Sequence, residues 1–145
     1  MAPDTSREDT RPRAREFGIA IGQLPPGELN AMTDVPDVRV GQTTLISGEG
    51  ALVPGTGPIR TGVTVILPHG GNLFREKVPA AIHVINGFGK CMGQEQIDEL
   101  GTLEGPIALT NTLNVGLVTD AIVSWSIREN PDIGIRTATV NPVVG

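Results

Sequence analysis

The sequence predicts a mixed α/β fold whose sheet is covered on both faces. Short runs of β-branched and aliphatic residues alternate along the chain with two segments of helical periodicity. The run at 63–67 is apolar at nearly every position, which is typical of a strand buried on both faces. The segment 115–129 carries apolar residues at helical spacing. Together these patterns indicate a layered α/β chain.

Two strands are predicted in the first half of the chain. The first, at 38–46, follows an Asp-Val-Pro-Asp turn at 34–37. The second, at 62–68, is the clearest strand because it is short, β-branched and closed by a proline. The Gly- and Pro-rich stretch between them, 53–61, is predicted to form a hairpin arm or a surface loop.

A third strand and a short helix are predicted next. The apolar run 80–86 has the composition of a strand and ends at a Gly-Phe-Gly break. The segment 92–100 favours a helix with Ile97 and Leu100 facing inward. Gly101 is expected to stop that helix, since glycine adopts the left-handed conformation at a helix end.

The strongest helix prediction covers 115–129 and follows a short buried strand at 106–110. Asn111, Thr112 or Asn114 is expected to cap its start, and Asn130-Pro131 to end it. The main apolar stripe of this helix consists of Val115, Val118, Ile122 and Trp125. Apolar residues continue outside this stripe, so the helix is expected to be sandwiched between two layers.

The segment 136–145 predicts a last strand, because Thr137, Thr139 and Asn141 alternate with apolar residues. Val143 and Val144 follow, and we expect a segment of a larger protein to cover them. An alternative is that Pro142 ends the strand and both valines fit into a groove of the same chain.

Composition excludes several classes of function. The 145 residues carry a formal net charge of -5 without a basic stripe, which argues against a nucleic-acid surface. The single cysteine, Cys91, excludes an internal disulfide and a multi-cysteine zinc site. Residues 1–16 are charged and resemble no signal peptide, so we predict a flexible N-terminal arm there, with ordered structure starting near Phe17. The default location is cytoplasmic, although a processed periplasmic protein would have the same composition.

The residues best placed for chemistry lie between the strand at 106–110 and the long helix. Asn111 and Asn114 stand where unpaired backbone N–H groups favour negative charge, so they could hold a substrate or an oxyanion. Ordinary helix capping is the alternative. Glu104, just before the strand, could hold a substrate ammonium group or could be a solvated loop acid.

The sequence does not contain the motifs of nucleotide-binding sites, metal sites or Ser/His/Asp catalytic sites. The glycines at 87–93 do not form the dinucleotide fingerprint, because Met92 stands where the last glycine is required. His69 and His83 lack metal-ligand spacing, and His83 is expected to be a core histidine. No Ser/His/Asp constellation can be assembled, and Cys91 has no recognisable catalytic partner.

Four ungapped blocks carry a resemblance to a known family. They are 29–45 (with Val-Pro-Asp-Val-Arg-Val-Gly), 57–68 (Gly-Pro-Ile-Arg-Thr-Gly-Val), 84–89 (Val-Ile-Asn-Gly-Phe-Gly) and 105–116 (Gly-Pro-Ile-Ala-Leu-Thr-Asn-Thr-Leu-Asn-Val-Gly). In this order they resemble the start of the DmpA-type aminopeptidases, which include the L-aminopeptidase/D-amidase-esterase and the β-peptidyl aminopeptidases. The resemblance spans residues 17–145, and it implies that they are the front portion of a single αββα hydrolase domain, which is incomplete without the segment that follows.

The resemblance implies a self-processing hydrolase with a four-layer αββα sandwich, similar to ornithine acetyltransferase-like folds and to N-terminal-nucleophile hydrolases. Such a precursor cuts itself ahead of an internal serine, which then acts as nucleophile with its own amine as general base. The family removes N-terminal residues, including D- or β-residues, from short peptides, amides and esters. It uses no metal and no cofactor.

The resemblance also assigns roles to residues of this chain. Asn111 and Asn114 would line the substrate pocket, Glu104 would contact the substrate amine, and Asn86 is a further substrate-binding candidate. No catalytic residue is assigned, since the nucleophilic serine opens a later fragment. The implied partners are a companion chain carrying that serine and further copies of the heterodimer. The alternative is a non-catalytic binding or structural module that reuses the same fold.

Overall fold

The computed structural model describes residues 12–145. Regular structure in this part of the chain starts with 3₁₀-helices at Ala14–Phe17 and Met32–Asp34. The strands are β1 (Arg39–Ser47), β2 (Ile59–Leu67), β3 (Val78–Pro79), β4 (Thr102–Leu103), β5 (Ile107–Leu109) and β6 (Val143–Val144), and the α-helices are α1 (Gln94–Leu100) and α2 (Val115–Glu129).

The main sheet has four strands in the order β1-β2-β5-β6. β1 and β2 form a long antiparallel hairpin, β5 pairs antiparallel with β2, and β6 pairs parallel with β5. β3 and β4 form a separate two-stranded sheet. Because β5 and β6 are parallel, their carboxyl ends lie at the same end of the sheet.

Two helices cover opposite faces of this sheet. Alternate residues of a strand point to opposite faces, so neighbouring residues of β5 and β6 join different clusters. On one face, α2 packs against Ala108 of β5 and Val144 of β6. On the other, Ile97 of α1 packs with Leu103 and Val143. The core therefore lies around β5 and β6.

Most predicted elements are confirmed. The strands expected at 38–46 and 62–68 are β1 and β2, and α2 has the predicted bounds, with Asn114 preceding it. α1 ends at Gly101, which adopts φ 64° and donates its backbone N–H to the carbonyl of Ile97. Ile97 faces inward as predicted, whereas Leu100 is exposed and that part of the prediction is wrong.

The strand predicted at 80–86 is wrong. The chain pairs only at Val78–Pro79, after which the N–H of Ala80 donates to the carbonyl of Gly101. Val84 and Ile85 are exposed, because the part of the chain that the structure describes places no further strand beside them. An apolar run becomes a strand only where a partner edge satisfies its backbone.

The prediction for 136–145 is only partly correct. The backbone N–H groups of Arg136 and Thr137 donate to the carbonyl of Asp132, which makes a turn of the alternating segment. Pairing begins only after Pro142, at Val143 and Val144. Both valines are buried by this chain itself, so the expectation that another segment covers them is wrong.

Parts of the main sheet and of α2 are left uncovered by the rest of the described chain. Every residue of β1 is exposed, and Leu117 and Ile127 of α2 are exposed as well. Within residues 12–145, α2 therefore packs on one side only, and the sandwiched arrangement expected for it is not seen. The first eleven residues of the predicted arm lie outside the described residues. No helix among those described is long and apolar enough to cross a membrane.

Candidate functional site

Asn111 and Asn114 lie where β5 ends and α2 begins. The side-chain amide of Asn111 donates to Thr61 Oγ1 at 2.8 Å, and that of Asn114 donates to Asn111 Oδ1 at 3.1 Å. Asn114 holds the N-cap position, but its side chain makes no capping hydrogen bond. The positive end of the α2 dipole is thus left without a side-chain cap.

The loop that carries Asn86 approaches the same edge of the sheet. Asn86 is exposed, and its Oδ1 accepts a hydrogen bond from the backbone N–H of Phe88 at 3.1 Å. A few residues later, Met92 pairs with Val144, and the N–H of Thr110 donates to the carbonyl of Gly145. This edge, at the carboxyl ends of parallel strands, is where α/β folds place ligands.

Glu104 is a buried carboxylate, with 6% of its surface exposed. Its Oε1 accepts from both the backbone N–H of Asn141 (2.8 Å) and the side-chain amide of Asn141 (3.1 Å). Its Oε2 forms an ion pair with Lys77 Nζ at 2.6 Å. The reading of Glu104 as a solvated loop acid is therefore wrong, because a buried carboxylate needs these donors and this cation.

A cavity of about 260 Å³ adjoins Glu104. Its lining includes Ser126 of α2 and Asn130, the residue after the last of α2, which are 2% and 4% exposed. Asn130 is fully engaged, since it accepts from Asn72 and Arg75 and donates to the carbonyl of Ser126. The hydroxyl of Ser126 is buried without a hydrogen-bond partner.

The structure does not bring all the predicted site residues together. Ser126, beside the Glu104 cavity, follows Asn114 by twelve helical residues, which separates them by about 18 Å along α2. Glu104 sits before β5, whereas Asn111 sits after it. Asn111 and Asn114 form one cluster at the carboxyl end of β5. Glu104 belongs to a second cluster, at the amino end of the same strand.

Sequence reasoning missed Lys77, Asn141 and Ser126. Lys77 and Asn141 lie 27 and 37 residues from Glu104, so no local pattern connects them. A signal for Ser126 did exist: it follows Val115 and Ile122 at helical spacing and is therefore a polar residue on the buried face of α2.

The remaining candidates have ordinary environments. His83 is exposed, so the core position expected for it is wrong. His69 Nε2 is 2.8 Å from the carbonyl of Glu76, and its Nδ1 accepts from the N–H of Gly71. Burial raises the pKa of the Cys91 thiol, and the charge of Glu95 raises it further, which disfavours a thiolate. Within residues 12–145, no three His, Cys, Asp or Glu side chains are grouped closely enough to hold a metal ion.

Comparison with known proteins connects this arrangement to a class of hydrolases. Residues 30–145 match Peptidase family S58. The chain is 50% identical over 121 residues to the beta-peptidyl aminopeptidase BapA of Sphingosinicella xenopeptidilytica, which covers 83% of this chain and 30% of that protein. The chain thus spans about a third of the length of the relatives that it matches.

Solved structures agree with this match. The PH0078 protein of Pyrococcus horikoshii OT3 is 53% identical with a TM-score of 0.84, over 90% of this chain and 37% of that one. The L-aminopeptidase D-Ala-esterase/amidase of Ochrobactrum anthropi is 34% identical with a TM-score of 0.74, over 92% of this chain and 37% of that one. The latter is described as a variant of the Ntn hydrolase fold, in line with the fold expected from the sequence. The chain belongs to peptidase family S58, as its resemblance to the DmpA-type aminopeptidases predicted.

Proposed function

We propose that this chain is part of a self-processing serine aminopeptidase or amidase that removes N-terminal residues, including β- or D-residues, from short peptides, amides and esters. The observation that carries the proposal is the buried carboxylate of Glu104 beside a cavity, in a chain 50% identical to a beta-peptidyl aminopeptidase. An aminopeptidase must recognise a free ammonium group, and a fixed carboxylate is the side chain suited to that task.

The separation of the two clusters constrains the roles of their residues. The amine of an N-terminal residue lies only two or three bonds from the scissile carbonyl, so one cluster must serve both groups. We assign Glu104 to the substrate amine. Asn111, Asn114 and Asn86 would then bind the distal part of a short peptide, because about 18 Å corresponds to roughly five extended residues.

The nucleophile belongs, in this proposal, to polypeptide other than these 145 residues. This part of the proposal is supported by the length of the chain, which spans about a third of its relatives. Residues 17–145 would be the front portion of one αββα domain. A companion chain with an N-terminal serine would complete it, and the heterodimer would assemble into oligomers.

One observation favours the alternative of a non-catalytic binding or structural module. Val143 and Val144 are covered by the chain itself, as a self-contained module requires. The exposed apolar side chains on β1 and α2 argue against that alternative, because a module that works alone would bury them.

The proposal is tested on the complete polypeptide that contains this chain. Mass spectrometry should detect self-cleavage into two chains, the second of which starts with serine. The processed protein should hydrolyse β-alanyl- or D-alanyl-p-nitroanilide. The N-acetylated substrate is the matched control, since it lacks the ammonium group. Loss of a charged hydrogen bond of about 1.5–3 kcal/mol predicts a roughly 10- to 150-fold lower kcat/KM for it. Equal rates on both substrates would refute amine recognition, and an uncleaved, inactive protein would support the binding module.

A further inference from the structure

The two oxygens of Glu104 have different roles. Oε1 is held by two donors of one residue, Asn141, which fixes the orientation of the carboxylate. Oε2 has a single partner, the ammonium group of Lys77. A carboxylate held in this way presents one oxygen to a cation in a set direction. That cation can be replaced without disturbing the contacts to Asn141.

Lys77 is placed so that it can leave. Its side chain is 37% exposed, whereas that of Glu104 is 6% exposed. Its Nζ also lies 4.6 Å from the centre of the Phe74 ring, and Phe74 lines the cavity beside Glu104. A long, flexible side chain with an exposed stem can turn outward into solvent. The carboxylate cannot do the same.

The cavity offers further contacts for a small cationic ligand. Ser126 lines this cavity, and its buried hydroxyl has no hydrogen-bond partner among the described residues. Leu73 and the Trp125 ring supply apolar walls, which suit a short aliphatic body. A volume of about 260 Å³ is sufficient for a single amino-acid residue.

We propose that Lys77 is an internal competitor that holds Glu104 Oε2 until a primary ammonium ligand in the adjoining cavity displaces it. The inference rests on the proposed function for the identity of that ligand, the N-terminal residue of a substrate. Glu104 Oε2 is the group that would bind its ammonium. Lys77 thereby lowers the apparent affinity for every ligand and selects those that hold the ammonium better than Lys77 does.

The physical reason for such a competitor is charge balance. A buried carboxylate without a cation is strongly destabilising, and breaking a buried ion pair is costly because it leaves one charge uncompensated. Exchanging one ammonium for another keeps the charge of Glu104 balanced before and after binding. Lys77 therefore stabilises the empty site without blocking it permanently.

The first test is chemical rescue in the complete polypeptide. Lys77→Ala removes the ammonium and should lower the Tm. n-Propylammonium chloride at pH 8 should then raise the Tm in a saturable manner. Tetramethylammonium chloride is the ligand control, because it carries the charge without an N–H donor. Lys90→Ala is the protein control: Lys90 lies over the Phe88 ring at 4.5 Å, much as Lys77 lies over Phe74, and it donates to the carbonyl of Phe88.

Rescue of Lys77→Ala by n-propylammonium alone, absent from Lys90→Ala and from the double variant Lys77→Ala/Glu104→Gln, would support the inference. Equal shifts with both salts or in both single variants would overturn it. The second test is kinetic. Removing the competitor should lower KM in Lys77→Met, roughly tenfold for an occupancy of about 90%. An unchanged or higher KM would contradict competition. Absence of any hydrolysis would reject the proposed function but not the site, which the rescue experiment tests separately.

Discussion

At the scale of single residues, Glu104 shows how far the environment decides the role of a side chain. Its position before a short strand allowed either a solvated acid or an amine ligand. In the structure three donors surround it, and they come from residues distant in sequence. A carboxylate held this firmly is positioned for recognition because its orientation is set before any ligand arrives.

Asp34 leads to a prediction about pH at the same scale. Its carboxylate accepts from the backbone N–H groups of Ala31 and Leu29, and these bonds lower its pKa below the usual value of 3.8. A carboxyl whose pKa is lowered by folding stabilises the fold above the unfolded value, and that contribution is lost as the pH falls through the folded pKa.

We therefore expect Asp34→Asn to lower the urea midpoint at pH 7 and to lower it much less at an acid pH below the folded pKa of Asp34. Denaturation curves at both pH values measure the difference. Asp120→Asn, on an exposed position of α2, is the matched control and should show the same small effect at both. A deficit of Asp34→Asn that persists undiminished at low pH would show that the carboxylate charge is not the cause.

At the scale of elements, the start of α1 is fixed by β6. Gly93 precedes α1 with φ 82°, and a Cβ added there would overlap the carbonyl oxygen of Pro142. The antiparallel bridge between Met92 and Val144 brings these two segments together. A helix start and a strand far apart in sequence thus depend on a single missing side chain.

Gly93→Ala is expected to destabilise the protein by about 2–4 kcal/mol, since it combines backbone strain with a steric overlap. Gly116→Ala in α2 is the matched control, because a Cβ there meets no atom within 4 Å. Alanine is the better helix former, so this change should stabilise by up to about 1 kcal/mol. Unfolding free energies from urea titration of the two variants and the unmodified protein measure both effects. Equal effects of the two substitutions would contradict the close approach at Gly93.

The strand prediction at 80–86 illustrates a limit at this scale. Composition and periodicity identified β1, β2 and α2 because those elements bury a face or pair locally. The segment 80–86 has the same apolar character, but no partner strand lies beside it within residues 12–145. The local sequence pattern therefore predicted only that residues 80–86 can pair as a strand. Whether they do so depends on a neighbouring strand, and none lies beside them within residues 12–145.

At the scale of the whole molecule, an apolar groove remains open between α2 and β2. It has a volume of about 390 Å³ and is lined by Val63, Val65, Leu67, Pro106, Val118, Ala121, Ile122 and Trp125. Exposed apolar surface of this kind drives association. Since the chain spans about a third of its relatives, we expect the rest of a complete family member to cover this groove.

The 145-residue chain alone should consequently bind the dye ANS and elute from a sizing column as an associated species, whereas the complete polypeptide should do neither. Val63→Thr keeps the shape of the side chain but makes the groove more polar, so it should reduce dye binding by the isolated chain. Val53→Thr, at a position 53% exposed and outside the groove, is the control. A monomeric, dye-free isolated chain would show that the groove needs no partner.

The sequence alone determined the α/β class, the hairpin β1/β2, the long helix and the family, because these follow from local periodicity and from ungapped blocks of residues. Only the tertiary structure decided that Val143 and Val144 are buried by their own chain, and that Glu104 and Asn111 lie at opposite edges of the sheet. The reason is physical: burial and ion pairing depend on which distant segments meet, and Lys77 and Asn141 meet Glu104 only when β3, β5 and β6 are assembled.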